Sequence, residues 1–241
     1  SLSDDGDTLA ISRIGWDAGT GGNAAGSVLV FYRTGSAWGE KSTLIASNPD
    51  SQDRFGDSLS LSGDGNTLAV AAPSEDSNAT GIGGDQSNNS LTNSGAVYIF
   101  TRSGNSWSQQ AYLKSSSTDD RDYFGTSVSL SDDGNTLVAS SYLEDGNAIG
   151  MGGDTSNNSA TNSGAVFVFS RTGSSWSEID YVKSNNTEAG DCFGRNSGSV
   201  SISDDGKTLA VGNYCDDSNA TGIGGDETDN SAVISGAVYI Y

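Results

Sequence analysis

The chain has 241 residues, a formal net charge of −20 and no histidine. Leu, Ile, Val and Phe together supply 44 residues, about 18% of the chain, a composition that with so much charge borders on disorder. The excess of acid excludes a nucleic-acid binder, because no basic stripe is present to meet phosphate, and no apolar run is long enough to span a membrane.

Disorder is excluded by arrangement: the apolar residues fall in short, evenly spaced, alternating runs. The 33 glycines and two prolines fit many tight turns between short strands. The acidity suits a soluble protein in an extracellular, cation-rich setting. No signal peptide is visible, but the chain opens inside a repeat and reads as a partial sequence, so a missing leader says nothing.

The opening phrase SDDGDTLAI at residues 3–11 returns at residues 62–70, 131–139 and 203–211. Trp38, Trp107 and Trp176 are spaced 69 apart, as are Phe55, Phe124 and Phe193. Such self-similarity identifies a repeat architecture. In the second repeat, strand A is predicted over residues 55–62, where Leu59 and Leu61 alternate with Ser58, Ser60 and Ser62. An Asp64-Gly65 turn, tolerant of positive φ, leads into strand B over residues 67–72. Strand C, residues 95–101, is apolar on both faces and is expected to be buried. Strand D begins at Trp107. Four short antiparallel strands per unit, without helical periodicity, predict an all-β fold: a β-propeller built from four-stranded antiparallel blades. About four blades are present, near residues 1–54, 55–123, 124–192 and 193–241, in one repeat domain, as a partial ring or a segment of a larger propeller.

Phe55-Gly56, then Ala71-Ala72-Pro73, then GAVYIF at residues 95–100 resembles an FG-GAP repeat of the integrin α-subunit propeller type. Phe124-Gly125 with GAVFVF at 164–169, and Phe193-Gly194 with GAVYIY at 236–241, repeat the pattern. The tandem bacterial form of the family is the nearer likeness. The resemblance implies a propeller in secreted or surface proteins that bind ligands and often calcium (Ca2+). The family's calcium pattern in the A–B turn is absent. Aligned on Asp133-Gly134, it puts Ser129, Ser131 and Leu137 where acidic ligands belong.

The B–C loops carry oxygen donors at alternate positions instead. The second repeat has Asp76, Asn78, Thr80, Ile82 (through its carbonyl) and Asp85; the third has Asp145, Asn147, Ile149, Met151 and Asp154. The fourth has Asp217, Asn219, Thr221, Ile223 and Asp226. Donors at positions 1, 3, 5, 7 and 10 with intervening glycines suit calcium, which takes six to eight oxygens. Asp, Asn and Gly also simply make turns. The first repeat is shorter over residues 16–23 and is expected to lack the site. Asp53, Asp122 and Asp191, each two residues before Phe-Gly, either add carboxylates to the same rim or cap their turns.

Cys192 and Cys215 match Arg54 and Ser74, which stand equidistant from the A–B turn in the second repeat; a three-residue insertion near Arg195 to Gly198 must bulge out to keep that register. A disulfide is expected, and with it an oxidising, extracellular or cell-surface location. Two packed free thiols are the alternative. Asn78, Asn88, Asn157, Asn185 and Asn219 lie in glycosylation sequons. The recurring tryptophans are expected to pack between blades rather than stack on sugars. An enzyme is not expected, since the commonest general base is absent and the acids recur in every blade rather than at one site. The reading is therefore a calcium-binding adhesion propeller displaying its B–C loops to a protein or glycan. Alternatives are a structural segment of a surface protein or filament, self-association that completes a ring, and, more weakly, a propeller glycosidase or lyase.

Overall fold

A computed structural model describes residues 1–17 and 23–241. The short loop of residues 16–23, expected to lack the B–C site, lies largely outside the described residues. Among the described residues fourteen strands form four antiparallel sheets. The first holds β1 (Thr8–Arg13), β2 (Ser27–Thr34) and β3 (Ala37–Leu44). The second holds β4 (Leu59–Leu61), β5 (Thr67–Ala72), β6 (Ala96–Ser103) and β7 (Ser106–Leu113). In the third lie β8 (Val128–Leu130), β9 (Thr136–Ser141), β10 (Ala165–Thr172) and β11 (Ser175–Val182). The fourth has β12 (Val200–Ile202), β13 (Leu209–Asn213) and β14 (Ala237–Ile240). Within each sheet the strands pair in chain order, as in a propeller blade.

No sheet buries both faces alone. Each of the three apolar clusters draws on two neighbouring blades, such as Ala10, Val28 and Val30 of the first with Leu68, Val70 and Tyr98 of the second. The doubly apolar strand C reads out as expected, with every residue from Ala96 to Phe100 buried. The innermost strands are short, and their alternating serines have a job. Ser58 and Ser60 hydroxyls accept the backbone N–H groups of Val128 and Leu130 in the next blade, at 3.1 and 3.0 Å. Ser127 and Ser129 do the same for Val200 and Ile202. An edge that would otherwise invite pairing is thereby satisfied.

The Phe-Gly pair leaves the sheet to clamp the preceding blade. Gly95, at φ +83°, lies so close to Phe124 that a Cβ there would stand 2.2 Å from the Phe124 carbonyl oxygen. Phe124 N donates to Ser94 O at 3.0 Å, and its ring meets Phe167 edge-on at 5.7 Å. Gly26 with Phe55 and Gly164 with Phe193 repeat the contact. Strand A is consequently shorter than residues 55–62.

Candidate functional site

In the second and third blades the B–C loop rises from the end of strand B and returns along the outer edge of its own blade. Ile82 bridges Leu113 of β7, and Met151 bridges Val182 of β11. Gly83 N donates to Tyr112 O at 2.9 Å and Lys114 N to Gly81 O at 2.8 Å. The loop thus covers the last open edge of the blade, which blunts edge-to-edge association.

At the loop base lies a group that sequence reasoning missed. Glu75 and Lys114 are buried and paired at 3.1 Å; Glu144 and Lys183 are buried and paired at 2.9 Å. Glu75 also accepts from Tyr112 Oη at 2.9 Å, Asn48 Nδ2 at 3.0 Å and Ser77 N at 3.1 Å. Lys114 Nζ donates further to Ser94 Oγ at 2.6 Å. Burial pulls the lysine below its ordinary pKa, against the attraction of Glu75. A pair this well hydrogen-bonded offsets much of its desolvation and fixes the loop base in one geometry. The available signal was joint loss: the first repeat has Trp16 and Ile45 at the two corresponding positions.

The proposed calcium donors do not converge. Asp76 Oδ1 accepts Asn93 N at 2.7 Å, and Asp145 and Asp217 accept Asn162 N and Ile234 N in the same way. Asp85, Asp154 and Asp226 each accept the backbone N–H and hydroxyl of the residue two further on. Asn78, Thr80, Asn147, Asn219 and Thr221 are exposed, while the apolar Ile82, Ile149, Met151 and Ile223 point their side chains to solvent. Among the described residues no group of three or more acidic, Cys or His side chains is placed to hold a metal ion. The side chains as placed make turns and do not fit a calcium cage.

Asp53, Asp122 and Asp191 are buried caps, each accepting the backbone N–H three residues earlier, from Asp50, Asp119 and Glu188. Burial pushes Asp53 and Asp122 up to about 7 and Asp191 to about 6, with neighbouring carboxylates such as Glu75, Glu144 and Asp216 adding to the rise. The A–B turns are plain hairpins, in which Asp64 Oδ1 accepts Ser62 Oγ and Asn66 N.

Cys192 and Cys215 stand as free thiols, so the expected disulfide is not shown. The register argument nonetheless brings them together: burial first, and then the neighbouring Cys215, raise the Cys192 thiol to about 11. Trp107 Nε1 donates to Tyr32 Oη at 2.6 Å and Trp176 Nε1 to Gln110 Oε1 at 3.0 Å, each reaching the preceding blade. Trp38, in the first blade, is 43% exposed. Of the sequon asparagines, Asn88 is half-buried and the other four are exposed.

These blades, with their Phe-Gly clamps, define a β-propeller repeat protein. The chain belongs to the FG-GAP repeat family, which matches residues 38–100 and 107–169, more than half of its length. No curated sequence matches it. Among solved structures it is similar to a protein of Bacteroides uniformis described as a 6-phosphogluconolactonase, at 14% identity and a TM-score of 0.52, covering 100% of this chain and 56% of that one. A periplasmic gluconolactonase of Pseudomonas aeruginosa matches at 18% identity and a TM-score of 0.46, over 86% of this chain and 47% of its own. The chain spans about half the length of both. The expectation that it is no enzyme is corrected here: the Bacteroides uniformis structure that shares this fold is described as an enzyme, so the architecture carries catalysis elsewhere. At such identity the likeness speaks for the fold and brings no lactonase chemistry to these residues. Among the described residues no helix is long and apolar enough to cross a membrane.

Proposed function

We propose that the chain presents its B–C loops, outside the cell, to a protein or glycan partner. One observation supports this most: the same exposed tip is built three times. Ile82, Met151 and Ile223 are 40%, 53% and 106% exposed, each between two glycines at positive φ, on loops whose bases are fixed by buried carboxylates. Apolar side chains held in water at repeated, rigid positions lose little entropy on contact. Several weak contacts then add through effective concentration.

A glycan array and a panel of immobilised extracellular proteins test the reading. The triple change of Ile82, Met151 and Ile223 to Ser is expected to weaken capture more than about tenfold, and each single change far less. Capture unchanged by the triple variant sinks it. Calcium is left out of this reading, since among the described residues no three acidic side chains converge. Melts with calcium and with chelator are expected to coincide, and a calcium-linked rise in Tm would reinstate the metal.

A further inference from the structure

We propose that the seam between the second and third blades is a binding site for a neutral oligosaccharide, received by a cluster of glutamine amides. This rests on the reading that the B–C loops face an extracellular partner, and it narrows that partner to a glycan at one place. A groove of about 360 Å³ lies between the B–C loop of the second blade, the middle of β7 and the β10–β11 turn of the third. That volume falls within the range of small-molecule sites, about 300–1,000 Å³. Three of the chain's four glutamines line it: Gln86, Gln109 and Gln110. Consecutive side chains of a strand ordinarily point to opposite faces. Here a β-bulge leaves Gln110 without a partner on β6, since Gln109 pairs with Phe100 and Ala111 with Ile99. The bulge re-aims the strand so that both amides reach the groove.

The amides are held with their donor ends free. Gln110 Oε1 accepts from Trp176 Nε1 at 3.0 Å and from Arg171 Nη1 at 3.3 Å, which occupies both lone pairs of that oxygen. Gln86 Oε1 accepts from Ser47 Oγ. Among the described residues neither Nε2 donates to a protein acceptor, and the Gln109 amide makes no hydrogen bond. Ser174 and Ser175 add exposed hydroxyls, while Ile82 and Ala111 supply an apolar patch. No charged side chain lines the groove, in a chain of net charge −20. A ligand recognised by its charge finds no partner there. A peptide strand is excluded by the edge of the blade. Gly83 N already donates to Tyr112 O at 2.9 Å and Lys114 N to Gly81 O at 2.8 Å, so no free backbone is left for strand addition. Trp176 is 7% exposed; it positions Gln110 and offers no ring face for stacking. What fits is a ligand with many neutral oxygens to accept from amide N–H groups and C–H faces to meet Ile82, the chemistry of a sugar.

The test is the NMR spectrum of the glutamine side-chain amides in the intact, isotope-labelled protein, titrated with cellobiose, maltose, lactose, chitobiose and a sulfated disaccharide. At least one neutral disaccharide is expected to shift the amides of Gln86, Gln109 and Gln110 saturably, while Gln52, outside the groove, stays still. Gln110→Glu keeps the oxygen that Trp176 and Arg171 bond and removes the donor. It is expected to weaken binding more than about tenfold with little change in Tm. Gln86→Glu does the same on the loop without touching Trp176. No shift with any neutral sugar would overturn the proposal, as would equal shifts of all four glutamines, a stronger response to the sulfated sugar, or undiminished binding in both variants. Silent amides beside tip-dependent capture of an immobilised protein would overturn the groove and leave the loop-tip reading standing. Shifts that persist in the triple-serine variant would support the groove and count against the loop tips.

Discussion

Asp53, Asp122 and Asp191 couple two ordinary acts, capping a turn and being buried, and the result is a pH dependence of unusual sign. Their pKa values are raised from 3.8 to about 7, 7 and 6. Between those limits the folded chain holds protons that the unfolded chain has released, so stability falls as pH rises through that window. Asp85, Asp154 and Asp226 work oppositely: hydroxyl and backbone hydrogen bonds hold them below 3.8. Their contribution is present above that value and is lost as pH falls through their still lower folded values. Relief of self-repulsion from a net charge of −20 acts with the buried aspartates as pH falls. A Tm maximum is expected at about pH 4 to 5. Changing all three buried aspartates to Asn, which keeps the capping oxygen, is expected to flatten the decline toward pH 8. A wild-type Tm that climbs between pH 5 and 8 would refute this. The sequence displayed these aspartates but not their burial. It hid Glu75 and Lys114 altogether, because a charged residue beside a polar loop reads as solvated. Only the joint replacement by Trp16 and Ile45 in the first repeat points to a pair.

Among the elements, strands were the most legible. β5 spans the predicted residues 67–72, because a hairpin turn marks one end and an unbroken apolar run fills it. Strand A was overdrawn, because Phe-Gly looks like strand sequence but packs as a clamp on the neighbouring blade. The B–C loops were legible as repeated units but not in their chemistry, since the Asx-turn spacing that caps a backbone also resembles ligand spacing. The clamp makes a sharp prediction. Gly95→Ala must adopt φ +83° and set a Cβ 2.2 Å from a backbone carbonyl that has nowhere to move. A loss of about 4 kcal/mol is expected, at the large end of single substitutions. Gly104→Ala is the control: its φ is +61° but nothing lies within 4 Å, and about 1 kcal/mol covers the left-handed backbone alone. Urea unfolding of the two variants checks the contrast. Equal losses would mean that the clamp contributes no more than backbone strain.

At the scale of the whole molecule, stability is a sum of blades and of the seams between them. Repetition made the number and order of blades legible. It did not show how unevenly the seams are filled. β5 and β6 of the second blade are buried from Thr67 to Ala72 and from Ala96 to Phe100. In β14, Val238 and Ile240 are 70% and 64% exposed, whereas the corresponding Val97 and Ile99 are fully buried. The first blade is intermediate, with β1 buried only at Thr8 and Ala10. Local opening follows local burial, since a strand with few apolar contacts separates at little free-energy cost. Amide exchange is therefore expected to be graded and not uniform: slowest in β5, β6, β9 and β10, faster in β1 and β2, and fastest in β13 and β14. The gradient also predicts two phases in denaturant, with the fourth blade melting before the central pair, because a repeat array loses cooperativity where a seam is weak. Uniform protection across all fourteen strands would show that the blades unfold as one unit. The serine hydroxyls and Phe-Gly clamps would then couple them more tightly than their burial implies.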